Sequence, residues 1–258
     1  MGHRHELVTI DGAAGKLSGT LHIPDGDIRG AVLFAHCFTC SRSLKTTKYM
    51  SSGIEDGGFA VLRFDFTGLG ESEGDFAETT VTTNISDLEA AASYLAAREF
   101  GTCVMVGHSL GGAATLLAAG NVPDVRAVVA VAAPFGTEHV RGLFTEQDLD
   151  DVFASGRATV SIAGRPFDIS RSFFEDLQRH CTPERLASLG RPLLIVHGTS
   201  DTVVDIGEGE RIYAAAVQPK WFAAIPGAGH MFIGPGEIEH ATAAIRTFLD
   251  VALGSTTA

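Results

Sequence analysis

Short apolar runs recur along the chain with polar or glycine-rich breaks between them: Ala31–Ala35, Phe59–Phe64, Thr102–Val106, Ala127–Ala132, Pro192–Val196 and Trp221–Ile225. Most are continuously apolar rather than alternating, the pattern of parallel strands covered on both faces. Helical periodicity fills the gaps. Ile85, Leu88, Ala91, Ala92 and Leu95 put one apolar stripe on a helix over Asn84–Arg98. A polar segment over Ser41–Tyr49 leads into a helix ending near Gly57-Gly58, and Ala113–Ala119, Gly207–Ala216 and Ile238–Leu253 read as further helices. Before this rhythm starts, Leu7–Ile10 and Leu17–Ile23 read as two strands of a hairpin, turning on Asp11-Gly12-Ala13-Ala14-Gly15. An early hairpin followed by alternating strands and helices predicts an α/β fold, a mostly parallel sheet flanked by helices.

The rhythm breaks between Thr137 and about Gly190, where Phe, acidic and basic residues mix and only a small hairpin, Ala158–Ile162 with Arg165–Ile169, is legible. The stretch is too long for an ordinary connection. It predicts a short inserted cap over 137–189 on a core made of 1–136 and 190–258. Six of the sixteen Phe fall in residues 135–174. Half or more of them should glue this cap to the core, and Phe135, Phe144, Phe173 and Phe174, with Met231, are candidates to line an apolar substrate pocket.

Charge narrows the partners. A formal net charge of -12 without a Lys/Arg cluster disfavours nucleic acid and anionic membrane surfaces. The longest strongly apolar run, Ala127–Phe135, is too short to span a bilayer, and Met1–Glu6 has no apolar signal-peptide core. A cytoplasmic protein, monomer or homodimer, is expected, with His3 and His5 belonging to a tail.

One stretch carries chemistry. Gly107-His108-Ser109-Leu110-Gly111 is a G-x-S-x-G sequence between a predicted strand and a predicted helix. That context makes it a nucleophile elbow: small residues permit a sharp turn that lifts the serine hydroxyl off the sheet. The helix beginning there aims N–H groups and its positive dipole end at any oxyanion beside Ser109. An acid and a histidine should follow in chain order. Asp201, in His197-Gly198-Thr199-Ser200-Asp201, leaves the end of one strand, and His230, in Gly227-Ala228-Gly229-His230, leaves the end of the next. Strand carboxyl ends are where such sheets collect their ligand-facing groups. Asp205 is a rival acid, but its place before Ile206-Gly207 suits a helix N-cap. The expected oxyanion donors are the N–H groups of Leu110 and Phe38, and no metal or cofactor is required. Asp65 begins a glycine-rich loop and is expected to be structural, and His36 and His197 to hold loops. Cys103 reads as a small buried hydrophobe. Cys37-Phe38-Thr39-Cys40 has C-x-x-C spacing but no second pair to complete a zinc site.

Together these residues resemble the α/β-hydrolase superfamily across nearly the whole chain. His36-Cys37-Phe38 resembles the His-Gly-Phe oxyanion segment of its esterases, with Cys37 where most have Gly. The segments FAHCFTCS, LRFDFTGLGESEG, GHSLGGAA and AGRPF are similar to the hydrolase half of bifunctional hydrolase/OsmC-like proteins. The resemblance implies a serine esterase, with Cys37 altering the loop rather than abolishing the oxyanion hole. It also implies a hydrolase half without its OsmC-like companion. Ester hydrolysis through a Ser109-Asp201-His230 triad acting on a small-molecule ester is therefore the expected function. Thioester or amide cleavage by the same triad is the nearest alternative. A fold-retaining binding protein, or a redox-linked protein using Cys37 and Cys40, would be other classes.

Overall fold

A computed structural model describes residues 4–100, 103–180 and 182–254. The chain opens with the antiparallel hairpin β1 (Arg4–Gly12) and β2 (Gly15–Ile23). This strand starts earlier than its apolar pattern suggested and takes His5 out of the expected tail: Arg4 and His5 pair with Ile23 and His22. His3 lies outside the described residues. Then follow β3 (Ala31–Ala35), β4 (Ala60–Phe64), β5 (Cys103–His108) and β6 (Val125–Val131), each in place of an apolar run. Thr102, expected in the strand before the elbow, falls outside the described residues. After β6 comes a small hairpin of β7 (Arg157–Ile162) and β8 (Arg165–Ser170), close to the bounds its sequence predicted. The last strands are β9 (Leu193–Gly198) and β10 (Lys220–Ile225).

Eight of these strands form one sheet in the order β1-β2-β4-β3-β5-β6-β9-β10. In sheet order, all pairings from β4 to β10 are parallel, and β2 alone runs antiparallel to the rest, pairing with β1 on one side and β4 on the other. Alternation along β3 explains why its run has no polar side. Val32 and Phe34 enter a core with Met50 and Ile54 of α1 (Lys45–Glu55) and with Ile245, Phe248 and Leu249 of α8 (Glu237–Leu253). Leu33 and Ala35 face the opposite core, with Leu88 and Leu95 of α2 (Val81–Ala96), Leu116 of α3 (Leu110–Ala118) and Ile212 of α7 (Ile206–Ala215). Each fully buried Leu or Val of this kind contributes roughly 1.5–3 kcal/mol. The fold is that of an α/β hydrolase, a mostly parallel sheet with helices on both faces.

Helix α2 starts three residues before the expected Asn84 because Thr80 and Thr83 form a capping box, each side chain bonding the other's N–H. Thr at the third helical position lacks the Glu/Gln signature that normally marks such a start. Between β6 and β9 the described chain holds the β7–β8 hairpin, α4 (Glu146–Ser155), α5 (Arg171–Leu177) and α6 (Thr182–Ala187). Phe144, Phe173 and Phe174 of this insertion pack with Val81, Leu110 and Leu117 of the core in a third apolar cluster. No helix among the described residues is long and apolar enough to cross a membrane.

Candidate active site

Ser109 sits at the junction of β5 and α3 with φ +56° and ψ -126°, a backbone conformation that L residues rarely adopt. Close packing on both sides enforces the turn. A Cβ on Gly107 would lie 2.3 Å from the Gly111 carbonyl, and one on Gly111 would lie 2.2 Å from the His36 carbonyl. The Ser109 N–H is anchored on Val131 O at 2.9 Å, and its carbonyl receives the Gly112 N–H at 2.8 Å. The hydroxyl is thereby held at the carboxyl end of the sheet.

The acid and the histidine arrive from the next two strand ends. His230 Nε2 lies 3.0 Å from Ser109 Oγ, and His230 Nδ1 lies 2.8 Å from Asp201 Oδ2. The other carboxylate oxygen of Asp201 accepts the N–H groups of Val203 at 2.9 Å and Val204 at 2.8 Å. Burial alone raises the Asp201 pKa. The His230 hydrogen bond and the two N–H donors outweigh it, so the carboxyl titrates below the ordinary aspartate value. Asp205 turns elsewhere: its side chain accepts the Gly207 N–H at 2.8 Å and caps α7. Chemically the row can pass a proton from hydroxyl to imidazole while a fixed carboxylate orients the ring.

A residue that the sequence reading passed over supports this row. His108 Nε2–H donates to the His230 carbonyl at 2.8 Å. Burial, then the neighbouring His230, pushes its pKa down to about 3, so the ring is neutral and keeps that proton. The signal available was its place beside the nucleophile, which a residue-type scan treats as the variable position of G-x-S-x-G. His197 Nε2 holds Val204 O at 2.9 Å, and His36 Nδ1 holds Cys37 O at 2.8 Å, both loop-fixing roles.

Leu110 opens α3 directly after the serine, and Phe38 lies in the segment after β3. Among the described residues no intramolecular acceptor takes the N–H of either. The carbonyl of His36 is packed against Gly111, which brings the 36–40 segment against the start of α3. Cys37 and Cys40 are joined by a disulfide, so the C-x-x-C pair encloses Phe38 within a covalent ring.

The candidate pocket residues separate. The Phe38 ring stacks on Phe173 with centroids 5.3 Å apart and meets Phe76 at 5.7 Å. These rings, with His36, Leu110 and Asn84, close a cavity of about 10 Å³. That is room for about one water. Phe144 and Phe174 pack edge to face behind Phe173 at 4.9 Å. Phe135 instead joins the main core and carries the Arg211 guanidinium over its ring at 4.3 Å. Met231 does not line this cavity; its carbonyl accepts from Thr46 Oγ1 at 2.5 Å. Phe76 and Asn84 went unread as lining residues because nothing local marks them. A larger groove of about 570 Å³ lies along α1 and α8 and includes none of Ser109, Asp201 and His230.

Two ionic networks lie outside this row. Asp65 accepts the Arg42 N–H at 2.6 Å, the Arg42 guanidinium, and the Glu71 N–H at 3.1 Å, which makes it the tie between the segment after β3 and the glycine-rich loop. His5, His22 and Glu55 also converge, with His22 Nδ1 2.9 Å and His5 Nε2 3.1 Å from Glu55. Arg63 Nε–H donates to His22 Nε2 at 2.8 Å, which forces the His22 proton onto Nδ1, facing Glu55. A metal would need that nitrogen bare, so the trio is built as a hydrogen-bonded chain rather than as a ligand set.

The family model described as the alpha/beta hydrolase family matches residues 32–244. Among solved structures, the esterase domain of a Rhodothermus marinus protein is 33% identical, covers 97% of this chain and 100% of that one, and has a TM-score of 0.78. Est1E from Butyrivibrio proteoclasticus, solved with ferulic acid bound, shares the fold at a TM-score of 0.85 and 22% identity, over 96% of this chain and 100% of that one. Mouse palmitoyl-protein thioesterase ABHD10, mitochondrial, is 28% identical over 155 residues, 57% of this chain and 50% of that protein. The chain thus spans about half the length of that relative. With the family's pattern running through most of its length and the fold in agreement, this chain belongs to the alpha/beta hydrolase family.

Proposed function

We propose that the protein is a serine hydrolase that cleaves carboxylic esters through an acyl-enzyme intermediate. His230 Nε2 takes the Ser109 proton as Oγ attacks the acyl carbonyl. Asp201 keeps the other ring nitrogen protonated and stabilises the imidazolium. The N–H groups of Leu110 and Phe38 receive the oxyanion, and His230 then protonates the departing alkoxide. Water repeats the cycle from the acyl side and frees Ser109. The observation that carries this reading is the unbroken row from Ser109 Oγ through His230 to Asp201, at 3.0 and 2.8 Å.

The kinship with a palmitoyl-protein thioesterase favours one second reading, acyl thioester cleavage by the same residues. Matched oxoesters and thioesters of acetyl to octanoyl chains, assayed beside Ser109→Ala, separate the two. Ser109→Ala should cost on the order of 10⁴-fold or more in kcat with little change in melting temperature. Retention of more than a few per cent of kcat would remove the assignment. The four segments quoted above support the finer assignment to the hydrolase half of hydrolase/OsmC-like proteins. The same reading has 137–189 act as a cap over a small-molecule ester. It also leaves a cytoplasmic monomer or homodimer, whose mass light scattering would read.

A further inference from the structure

The segment that carries the Phe38 N–H is restrained far more than an ordinary turn requires. Cys37 O accepts both His36 Nδ1–H, at 2.8 Å, and the Cys40 N–H, at 3.2 Å. Thr39 is held at φ +58°, and its carbonyl receives the guanidinium of Arg165, which reaches across from β8 of the insertion. The Phe38 ring is stacked on Phe173 of the same insertion. Through the middle of this set runs the Cys37–Cys40 disulfide, closing a ring with Phe38 and Thr39 inside it. Arg165 and Phe173 restrain the segment from outside, through the insertion, whereas the disulfide is a covalent restraint within the segment itself.

We propose that the Cys37–Cys40 disulfide positions the Phe38 N–H as an oxyanion donor, so that turnover depends on the oxidation state of this pair. The inference rests on the serine-hydrolase reading above. Cys37 is 5% exposed and Cys40 half-buried, so an external thiolate would reach the Cys40 sulfur. A dithiol reductant attacks there, the S–S bond breaks to leave a mixed disulfide, and its second thiol displaces Cys40. The net exchange gives two thiols on the protein and one disulfide on the reductant. Cys103 does not take part: it is buried in β5, and burial pushes its thiol up to about 12. Oxyanion donors act only when held within about 0.5 Å of the productive geometry. Losing one outright costs about 10²–10³ in kcat. Loosening one should cost tenfold to a hundredfold, with KM nearly unchanged because the ground-state carbonyl barely uses it.

The test measures kcat and KM on one ester before and after treatment with a dithiol. Alkylation and peptide mass spectrometry confirm the free thiols at 37 and 40, and the measurement is repeated after reoxidation. Melting temperature and the affinity of an aryl trifluoromethyl ketone, which mimics the tetrahedral adduct, are read on the same samples. The expected result is a fall of at least tenfold in kcat, a parallel loss of ketone affinity, a retained cooperative melt and recovery on reoxidation. Cys37→Ser/Cys40→Ser should show the low kcat without responding to reductant, while Cys103→Ala should respond as the parent does. A reduced enzyme within twofold of the oxidised kcat overturns the inference. So does a loss of activity that tracks loss of the cooperative melt, which would assign the bond to the fold. Oxidised protein with no Ser109-dependent turnover would remove the hydrolase reading first and this inference with it.

Discussion

Asp201→Asn tests the proposed site at the point where a small change has the largest computable effect. Asparagine keeps the shape of the side chain, and its carbonyl can still accept the Val203 and Val204 N–H groups that now lie 2.9 and 2.8 Å from Asp201 Oδ1. Its amide then faces His230 Nδ1 and donates to it. That fixes the ring proton on Nε2, 3.0 Å from Ser109 Oγ, where a bare nitrogen is needed. The ring becomes a donor to the nucleophile instead of its base. In triads with this arrangement the wrong tautomer costs about 10⁴ in kcat, or roughly 5.5 kcal/mol of barrier. Stability should fall only modestly near neutral pH, since the hydrogen bonds that hold the 201–204 turn survive and only the contribution of the ionised carboxylate is lost. The sign of the pH linkage supports the design. The Asp201 carboxyl titrates below the ordinary aspartate value, so its contribution is fully present above the unfolded pKa of about 3.9 and fades only as pH falls through the lower native value. Assays at pH 6–9 therefore compare a fully ionised carboxylate with an amide. Asp205→Ala is the control. It removes the N-cap of α7, a loss of about 1 kcal/mol, and should change kcat by less than tenfold, under about 1.4 kcal/mol of barrier. Steady-state kcat on a chromogenic ester, with Ser109→Ala as background, decides. An active Asp201→Asn beside an inactive Asp205→Ala would refute the reasoning while leaving Ser109 and His230 in place.

Three further outcomes follow from buried groups. Asp87 accepts the Thr67 N–H and hydroxyl at 2.8 and 3.0 Å, yet burial raises its pKa to about 6. Its native value is raised, so its contribution is full below about pH 4 and is lost as pH rises through about 6, a cost of about 3 kcal/mol for a two-unit shift. Asp87→Asn should therefore stabilise the protein by about 1–3 kcal/mol at pH 8 but not at pH 4; equal effects at both pH values in denaturant titrations would contradict this. Asp65→Ala strands the buried Arg42 guanidinium and should cost about 3–5 kcal/mol of unfolding free energy, and a loss below about 1 kcal/mol would show that Glu71 suffices as partner. Phe173→Leu trims the ring stacked on Phe38 and should raise the butyrate-to-acetate ratio of kcat/KM, whereas an unchanged ratio would place the acyl group elsewhere.

What the sequence made legible is what repeats locally or turns sharply. The buried strands showed as continuous apolar runs because β3, β4 and β5 have both faces covered. Ser109 showed because a strand, a tight turn and a helix leave a fixed pattern of small residues around it. Asp201 and His230 showed because chain order and strand ends limit where partners can lie. The expectation of an aromatic pocket was only half legible. Phe density marked the insertion, but Phe135 went to the main core, and the rings nearest the oxyanion segment are Phe38, Phe76 and Phe173, drawn from three distant parts of the chain. No period or propensity encodes which of sixteen phenylalanines will meet. His5 was misread for a related reason: its partners, Glu55 and His22, are fixed by pairing of β1 with β2 and packing against α1, not by its neighbours.

The segment from His36 to Arg42 is where those long-range terms converge, and this bears on why Cys stands where most esterases of the family's type carry Gly. A glycine there would leave the turn its full backbone freedom, to be removed by packing alone. Here the packing comes from other parts of the chain: Phe173 and Arg165 belong to the insertion, and Arg42 and Asp65 to a salt bridge linking two loops. A disulfide removes the same freedom without drawing on either. The proposed oxyanion donor is then fixed from within its own segment. Opening that one bond should therefore loosen the donor while the two cores on the faces of the sheet keep their cooperative melt.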